Sequence, residues 1–363
     1  MRRRPTSLSA FLTIALVLAA CDRSPITLGR DRLRRVRHVF VVVLENHGFD
    51  AGFGSRHAPY LVDSLIPRGV LLTRYYAIAH NSLANYIAMI SGIAPTPETQ
   101  GDCPVYRDFV ETGVAPDGQP IGAGCIYPAA VPTLASQLAA AGHTWKGYME
   151  DMGNDPDRES AACGHPPVGA VDRTSVSTRT DMYMTRHDPF MYFHGIIDSA
   201  VCARNVVPLS ALPSDLASDS STPNFSLIIP NACHDAHDIP CKNGEPDDIE
   251  AADRFLQHWI PIITSSPAFR NDGLLVVTFD EANTGDASAC CGELPGPNTT
   301  APGGGGPGGG RVGALLLSPF ASAGRVSDVP FNHYSLLRSV EDAFGLAHLG
   351  YAGQRGVNAF SFH

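Results

Sequence analysis

The sequence predicts an α/β fold whose central sheet is mostly parallel and covered by helices on both faces, with a Pro/Gly/Cys-rich insertion. Three observations lead there. Four short runs are almost wholly apolar and rich in β-branched residues: Val36 to Leu44, Phe225 to Ile229, Leu274 to Phe279 and Val312 to Leu317. Such runs suit strands buried on both faces, as strands of parallel sheets are. Between them lie segments suited to helices: Pro59 to Ile66, Ser82 to Ser91, Val131 to Ala141, Asp247 to Ile263 and Tyr334 to Phe344. Strands alternating with helices imply a doubly covered sheet. Lastly, polar and acidic residues follow three of the four runs directly, and functional groups in open α/β sheets gather beyond the carboxyl ends of strands.

The first residues are not expected in the folded body. Arg2, Arg3 and Arg4 precede an apolar run from Leu8 to Ala20, which ends in Leu18-Ala19-Ala20-Cys21. A basic start, a short apolar core and small residues before a cut describe a secretory signal. The closing tetrapeptide resembles a bacterial lipobox, which makes Cys21 the lipidated first residue of an exported cell-envelope lipoprotein. Several acyl chains on one cysteine anchor a protein to a membrane stably, where one does not. The expected organisation is a signal peptide over 1–20, a lipidated tether over 21–35 with basic residues Arg32 to Arg37 at its end, and one domain over 36–363.

Setting Cys21 aside from the nine cysteines leaves eight. An even number in an exported chain reads as a disulfide framework. Short-range pairs Cys103–Cys125, Cys163–Cys202 and Cys233–Cys241 are expected, leaving Cys290 and Cys291, each suited to a distant partner because neighbours pair only under strain. Residues 95–222 are rich in Pro, Gly, Ser and Cys, and read as a stapled cap or a set of long insertions. The run Gly303 to Gly310, broken only by Pro307, lacks the Lys-Ser/Thr ending of a phosphate-binding loop and reads as a flexible loop. The formal charge of −10 argues against a nucleic-acid partner, which attracts basic surfaces.

The residues beyond the strands carry the chemistry. The first run ends in Glu45-Asn46, with His47 and Asp50 close behind. The second leads into Asn231, His234, Asp235, His237 and Asp238, and the third into Asp280-Glu281. One carboxylate after a strand is ordinarily a turn former or helix cap. Recurrence at three strand ends instead suggests oxygen and nitrogen ligands for a divalent cation such as zinc, manganese, magnesium or calcium. Ser82, within His80-Asn81-Ser82-Leu83-Ala84-Asn85-Tyr86, opens a helix. Local sequence favours a simple N-cap there, worth about 1 kcal/mol. The alternative is a nucleophile at the positive end of the helix. No G-x-S-x-G elbow surrounds it, which argues against an ordinary serine hydrolase.

Taken together, Glu45-Asn46, His80-x-Ser82-x-x-Asn85-Tyr86, Asp280-Glu281 and Asn332-His333-Tyr334 resemble the phosphoesterase family of bacterial acid phosphatases and phospholipases C, within the alkaline-phosphatase superfamily. Pro230-Asn231 to His237-Asp238 and Arg186-His187-Asp188-Pro189-Phe190 are similar to its secreted acid-phosphatase branch, which includes phosphatidylinositol-3-phosphatases. The resemblance covers residues 36 to about 350 in order. It implies an alkaline-phosphatase-like fold and Ser82 as the nucleophile. Glu45, Ser82, Asp280 and Glu281 would surround one divalent metal, with Asn46 beside it. Asp235, His237 and His333 would hold a second metal or contact the phosphoryl group. Asn85 would hydrogen-bond a phosphoryl oxygen, with His187, His234, Asp238 and His80 as weaker pocket candidates. Where the family carries prolines on both sides of the serine, this chain has Asn81 and Ala84, a change expected to loosen the turn. The implied activity is hydrolysis of phosphomonoesters through a phosphoserine, on a phosphorylated small molecule or a phospholipid head group. A phospholipase C-type phosphodiesterase and a non-catalytic envelope lipoprotein are the alternatives. The insert 283–311, directly after Asp280-Glu281, reads as either a mobile lid or a tolerated loop.

Overall fold

A computed structural model of the chain describes residues 32–362. The expected signal peptide and Cys21 lie outside them. Eight strands form one sheet: β1 (His38–Leu44), β2 (Val70–Leu72), β3 (Trp145–Met149), β4 (Val206–Pro208), β5 (Phe225–Ile229), β6 (Gly273–Phe279), β7 (Ala314–Leu317) and β8 (Arg325–Ser327). Their order is β8-β2-β7-β6-β1-β5-β3-β4. Only β7 runs against its neighbours β6 and β2; the other pairs are parallel. Every residue of β1, β5 and β6 is buried. Central strands with no exposed residue require cover on both faces, which is why their sequences show unbroken apolar runs rather than alternation.

Among the described residues, the α-helices of six residues or more are α1 (Ser82–Ser91), α2 (Leu134–Ala140), α3 (Ala200–Asn205), α4 (Asp248–Ser265), α5 (Pro267–Asp272) and α6 (His333–Phe344). Helices α1, α2 and α6 pack on one another, while α4 packs on α5 and on the turn at Tyr60–Leu65. In α4 the buried residues Ile249, Ala252, Leu256, Ile260 and Ile263 recur at helical spacing and form the inward stripe. Phe40 of β1 meets Phe269 of α5, ring to ring, at 6.5 Å.

Four expectations are corrected. Residues 59–66 form no α-helix but a π-helical segment, Tyr60–Leu65, followed by a 3-10 turn at Ile66–Arg68. Pro67 removes an amide there, and the Asp253 carboxylate on α4 accepts from Tyr60 N (3.0 Å) and Leu61 N (2.7 Å). The cysteine-rich stretch 95–222 is more than a cap, since it supplies β3 and β4 to one edge of the sheet. The signal of β3 is broken in sequence by Lys146, which pairs with Asp215 at 2.6 Å, and by Gly147, where a Cβ would meet the Phe190 ring at 2.8 Å. Cys103–Cys125, Cys163–Cys202 and Cys233–Cys241 pair as expected, but Cys290 pairs with Cys291 rather than with a distant partner. Nor is Arg32 to Arg37 a free tether: Leu33 and Val36 are core residues, and Arg35 lies over the Phe320 ring at 4.2 Å.

Removing the Asp253 carboxylate leaves two amides short of their acceptor. Asp253→Ala is expected to lower unfolding stability by about 1–3 kcal/mol. In urea titrations this appears as a lower midpoint at unchanged m value.

Candidate active site

The site begins in the register of the sheet. β1 and β6 pair in parallel with Leu44 opposite Phe279. Their next residues, Glu45 and Asp280, therefore leave the sheet side by side, joined by Asp280 N donating to Leu44 O at 2.8 Å. On the other flank of β1, the chain leaving β5 returns Asp235 to the same place, where its carbonyl accepts from Glu45 N at 2.8 Å. Glu45, Asp235 and Asp280 are all fully buried.

Ser82 is the first residue of α1. Its hydroxyl does not cap the helix. It donates to Glu45 Oε2 at 2.9 Å, and Tyr86 one turn later donates to Glu45 Oε1 at 2.6 Å. The capping role passes instead to Asp102, whose Oδ1 accepts from Leu83 N at 3.1 Å. The turn before Ser82 is held firmly without flanking prolines. Asn85 Oδ1 accepts from Ile78 N (3.0 Å) and Ala79 N (3.1 Å), and its Nδ2 donates to Ala79 O (2.9 Å) and Asn81 O (3.2 Å). Both ends of that amide are thus engaged by the serine turn.

The acidic cluster is framed by amides and imidazoles. Asp280 Oδ1 accepts from Asn46 N (3.0 Å) and Glu281 N (2.6 Å). Asn46 adopts a left-handed φ of 57°, a conformation that asparagine tolerates better than most residues. Glu281 Oε2 lies 3.0 Å from His80 Nδ1, and His80 Nε2 reaches the Asp286 carbonyl at 3.0 Å. His187 bridges two acids: Nδ1 lies 3.0 Å from Asp235 Oδ2 and Nε2 lies 3.4 Å from Glu45 Oε1. Its ring stacks on Tyr86. His237 sits at the rim, with Asp238 at Nδ1 (3.0 Å) and Arg186 Nη2 at Nε2 (2.9 Å).

Burial and mutual repulsion push the carboxyls up. Glu45 lies well above its ordinary range, through burial first and then the charges of Asp280, Asp235 and Glu281. Asp235 is raised well above its ordinary value, chiefly by burial. Burial also raises Asp280 to about 6 and Glu281 to about 8. His187 is driven down by burial, then by Arg186 and His237, which favours the neutral, ligand-competent imidazole. Like-charged acids at this depth must hold protons or a cation. Asp280 Oδ2 and His187 Nε2 are buried without a hydrogen-bond partner, and ligand atoms of Glu45, His187 and His237 lie within 4.8 Å of one another. The donor set fits a divalent metal.

The structure thus gathers Glu45, Asn46, Ser82, Asp235, His237, Asp280, Glu281 and His187, with His80 and Asp238 at the edges. His333 stands behind Asp280: it is fully buried, Nε2 contacts the Asp280 carbonyl, and Nδ1 lies 3.0 Å from Tyr75 OH. Burial lowers it to about 4. Asn332 caps α6, in a capping box with Ser335. His234 turns away to Glu150 and Glu245, each at 2.9 Å. Three residues at the site escaped sequence reasoning. Tyr86 and Arg186 stand within quoted motifs but carry no assigned role, and Asp102 lies unremarked in the stretch 95–222.

A model of the phosphoesterase family matches residues 51–347. A phosphatidylinositol-3-phosphatase of Mycobacterium tuberculosis is 26% identical over 325 residues, covering 90% of this chain and 82% of that protein. An acid phosphatase of Aspergillus fumigatus is 24% identical over 315 residues, covering 86% of this chain and 55% of that protein. The chain therefore spans about half the length of that fungal relative. Among solved structures, an alkaline phosphatase superfamily protein from Vibrio parahaemolyticus aligns over 91% of this chain and 77% of its own, at 13% identity and a TM-score of 0.48.

The raised carboxyls give a pH dependence of defined sign. Asp280 and Glu281 in the folded chain keep protons that the unfolded chain releases near its ordinary carboxyl values of 3.8 and 4.5. The folded state then binds more protons than the unfolded, so stability falls as pH rises. Chelated protein is expected to melt at progressively lower temperature from pH 5 to pH 8, with divalent cation restoring the loss. Thermal unfolding across that range checks it, and a melting temperature that rises with pH contradicts it.

Proposed function

This chain belongs to the phosphoesterase family, and on that premise we propose that it is a metal-dependent phosphomonoesterase with Ser82 as its nucleophile. The observation that carries the proposal is the Ser82 hydroxyl held against Glu45 at the centre of a buried acidic cluster. A solvent-facing helix cap has no use for that arrangement.

Glu45, Asp235, Asp280, Glu281, His187 and His237 are the residues that would hold one or two divalent ions, with Asn46 alongside. A bound divalent ion supplies positive charge that lowers the hydroxyl pKa of serine and offsets charge on phosphoryl oxygens. The chain's own residues do the rest. Glu45 Oε2 takes the hydroxyl hydrogen bond and so orients Oγ, while Asn85 fixes the turn behind it. Tyr86 holds Glu45 from the other oxygen. Arg186 adds a cation at the rim, where its Nη2 meets His237 and its buried Nε lies 3.8 Å from Asp102 Oδ2 without a hydrogen bond. A guanidinium in that position can fork onto two phosphoryl oxygens.

In the first step the Oγ–phosphorus bond forms as the bond to the alcohol oxygen breaks, and the alcohol leaves with a proton while serine loses one. Water then attacks the phosphoserine, which releases inorganic phosphate and restores the hydroxyl. The acid-phosphatase relatives support a monoester over a diester substrate. We further propose that the enzyme belongs to the cell envelope, anchored through lipidated Cys21, a reading supported by the lipobox-like Leu18-Ala19-Ala20-Cys21. Its four disulfide pairs support an oxidising compartment.

Ser82→Ala and exhaustive chelation are each expected to cut hydrolysis of an aryl phosphate by about 10³-fold or more. Acid quenching of the wild type with labelled substrate should leave label on Ser82. Full activity after either change would sink the mechanism, and faster turnover of phosphatidylcholine than of the aryl phosphate would favour the diesterase alternative. Arg186→Ala should raise KM about tenfold or more, with partial recovery in Arg186→Lys.

A further inference from the structure

Against the turn that leads into Ser82 lies a cleft of about 610 Å³ that the chemistry above does not use. His80 and Asn81, the two residues before Ser82, form one side. Gly303, Gly304 and Gly305 also line the cleft, together with Thr299 and Gln100. The glycine wall comes from the insert after Asp280-Glu281, and it is fixed in place. A Cβ on Gly309 would lie 1.9 Å from Ala79 O, so the insert's backbone rests directly on the serine turn. His80 N donates to Pro302 O at 3.2 Å, and Gln100 Nε2 donates to Ala301 O at 3.0 Å. On its far side Asn298 ties to Gly122 N and Pro120 O, at 3.0 and 2.8 Å.

The lining has a definite chemical character. It holds hydroxyls, carboxamides and bare peptide groups, and no Lys, Arg, Asp or Glu. Its one titratable member, His80, has both ring nitrogens committed, to Glu281 and to the Asp286 carbonyl. Its apolar surface is divided among small groups such as Pro97 and Ala301, with no aromatic ring. A surface of neutral donors and acceptors rewards a ligand rich in hydroxyls. It offers a second phosphate no cation, and a flat aryl group no ring to stack on.

We infer that this cleft receives the alcohol part of the phosphoester and selects a neutral polyhydroxylated alcohol, a sugar or polyol bearing a single phosphate. The assignment rests on Ser82 being the phosphoesterase nucleophile, because only then does an alcohol leave beside His80 and Asn81. The glycines then have a purpose: side chains at 304 and 305 would occupy the volume the alcohol needs.

Gly305 provides the test. Its φ lies outside the left-handed region, and a Cβ there meets nothing within 4 Å, so a larger side chain can project without backbone strain. Steady-state rates are measured for wild type, Gly305→Ala and Gly305→Leu on methyl phosphate, a hexitol monophosphate and a hexitol bisphosphate, with thermal melts confirming folding. In the wild type, kcat/KM for the hexitol monophosphate should exceed that for each of the other two about tenfold or more. The monophosphate-to-methyl ratio should fall about tenfold in Gly305→Leu and by less in Gly305→Ala. A ratio unmoved by both substitutions, or a bisphosphate turned over faster than the monophosphate, overturns the cleft assignment alone. A wild type that hydrolyses none of the three, methyl phosphate included, overturns the phosphoesterase reading and this one with it.

Discussion

The parallel pairing of β1 with both β5 and β6 is the constraint on which the rest depends. Because Leu44 stands opposite Phe279, two acids follow two adjacent strands at the same level. Because β5 flanks β1 on its other side, Asp235 returns to within one hydrogen bond of Glu45. A shift of one residue in either register would turn the side chains of a whole strand to the opposite face. Such a slip is opposed by the entire apolar cover of strands that expose no residue. The position of the acids is thereby tied to the stability of the core.

That position is costly in itself. Three fully buried carboxyls repel one another, and each loses its water. The chain offsets part of the cost with directed donors: Tyr86 and Ser82 on Glu45, the amides of Asn46 and Glu281 on Asp280, and the amide of His237 with the His187 ring on Asp235. The offset is incomplete, because Asp280 Oδ2 remains without a partner. A fold built for stability alone would fill this space with apolar side chains. Retaining acids there is the mark of a site that trades stability for binding.

What the sequence made legible follows from how local each signal was. β5 and helix α1 match their expected spans residue for residue, and β1 begins two residues inside its apolar run, because burial on every side leaves no other pattern available. The acids after β1, β5 and β6 were visible because they interrupt those runs. β3 was hidden, since Lys146 and Gly147 break its run for tertiary reasons: a distant partner at Asp215 and a crowded Phe190 ring. The part Asp102 plays was hidden too. Capping Leu83 from nineteen residues away is a three-dimensional substitute for a local cap. Ser82 illustrates the same point from the other side. Its local context gave a helix cap, and only the fold shows its hydroxyl spent on Glu45 while Asp102 takes over the helix.

The insert 283–311 obeys the same physics. On composition its glycines read as slack, and slack would suit a lid. Yet a backbone gains rigidity from glycine where other backbone must come close, because the absent Cβ permits contact that no other residue allows. Gly309 against Ala79 O is such a contact, and Ala77 adds two hydrogen bonds, donating from N to Gly310 O (2.9 Å) and accepting at O from Gly309 N (3.1 Å). The serine turn is therefore gripped twice, from within by Asn85 and from above by the insert. Two independent holds account for a well-defined turn that lacks flanking prolines. They also explain how an insert directly after two candidate ligands leaves those ligands in place: it is packed onto the nucleophile's own loop, and its position is set by the group it borders.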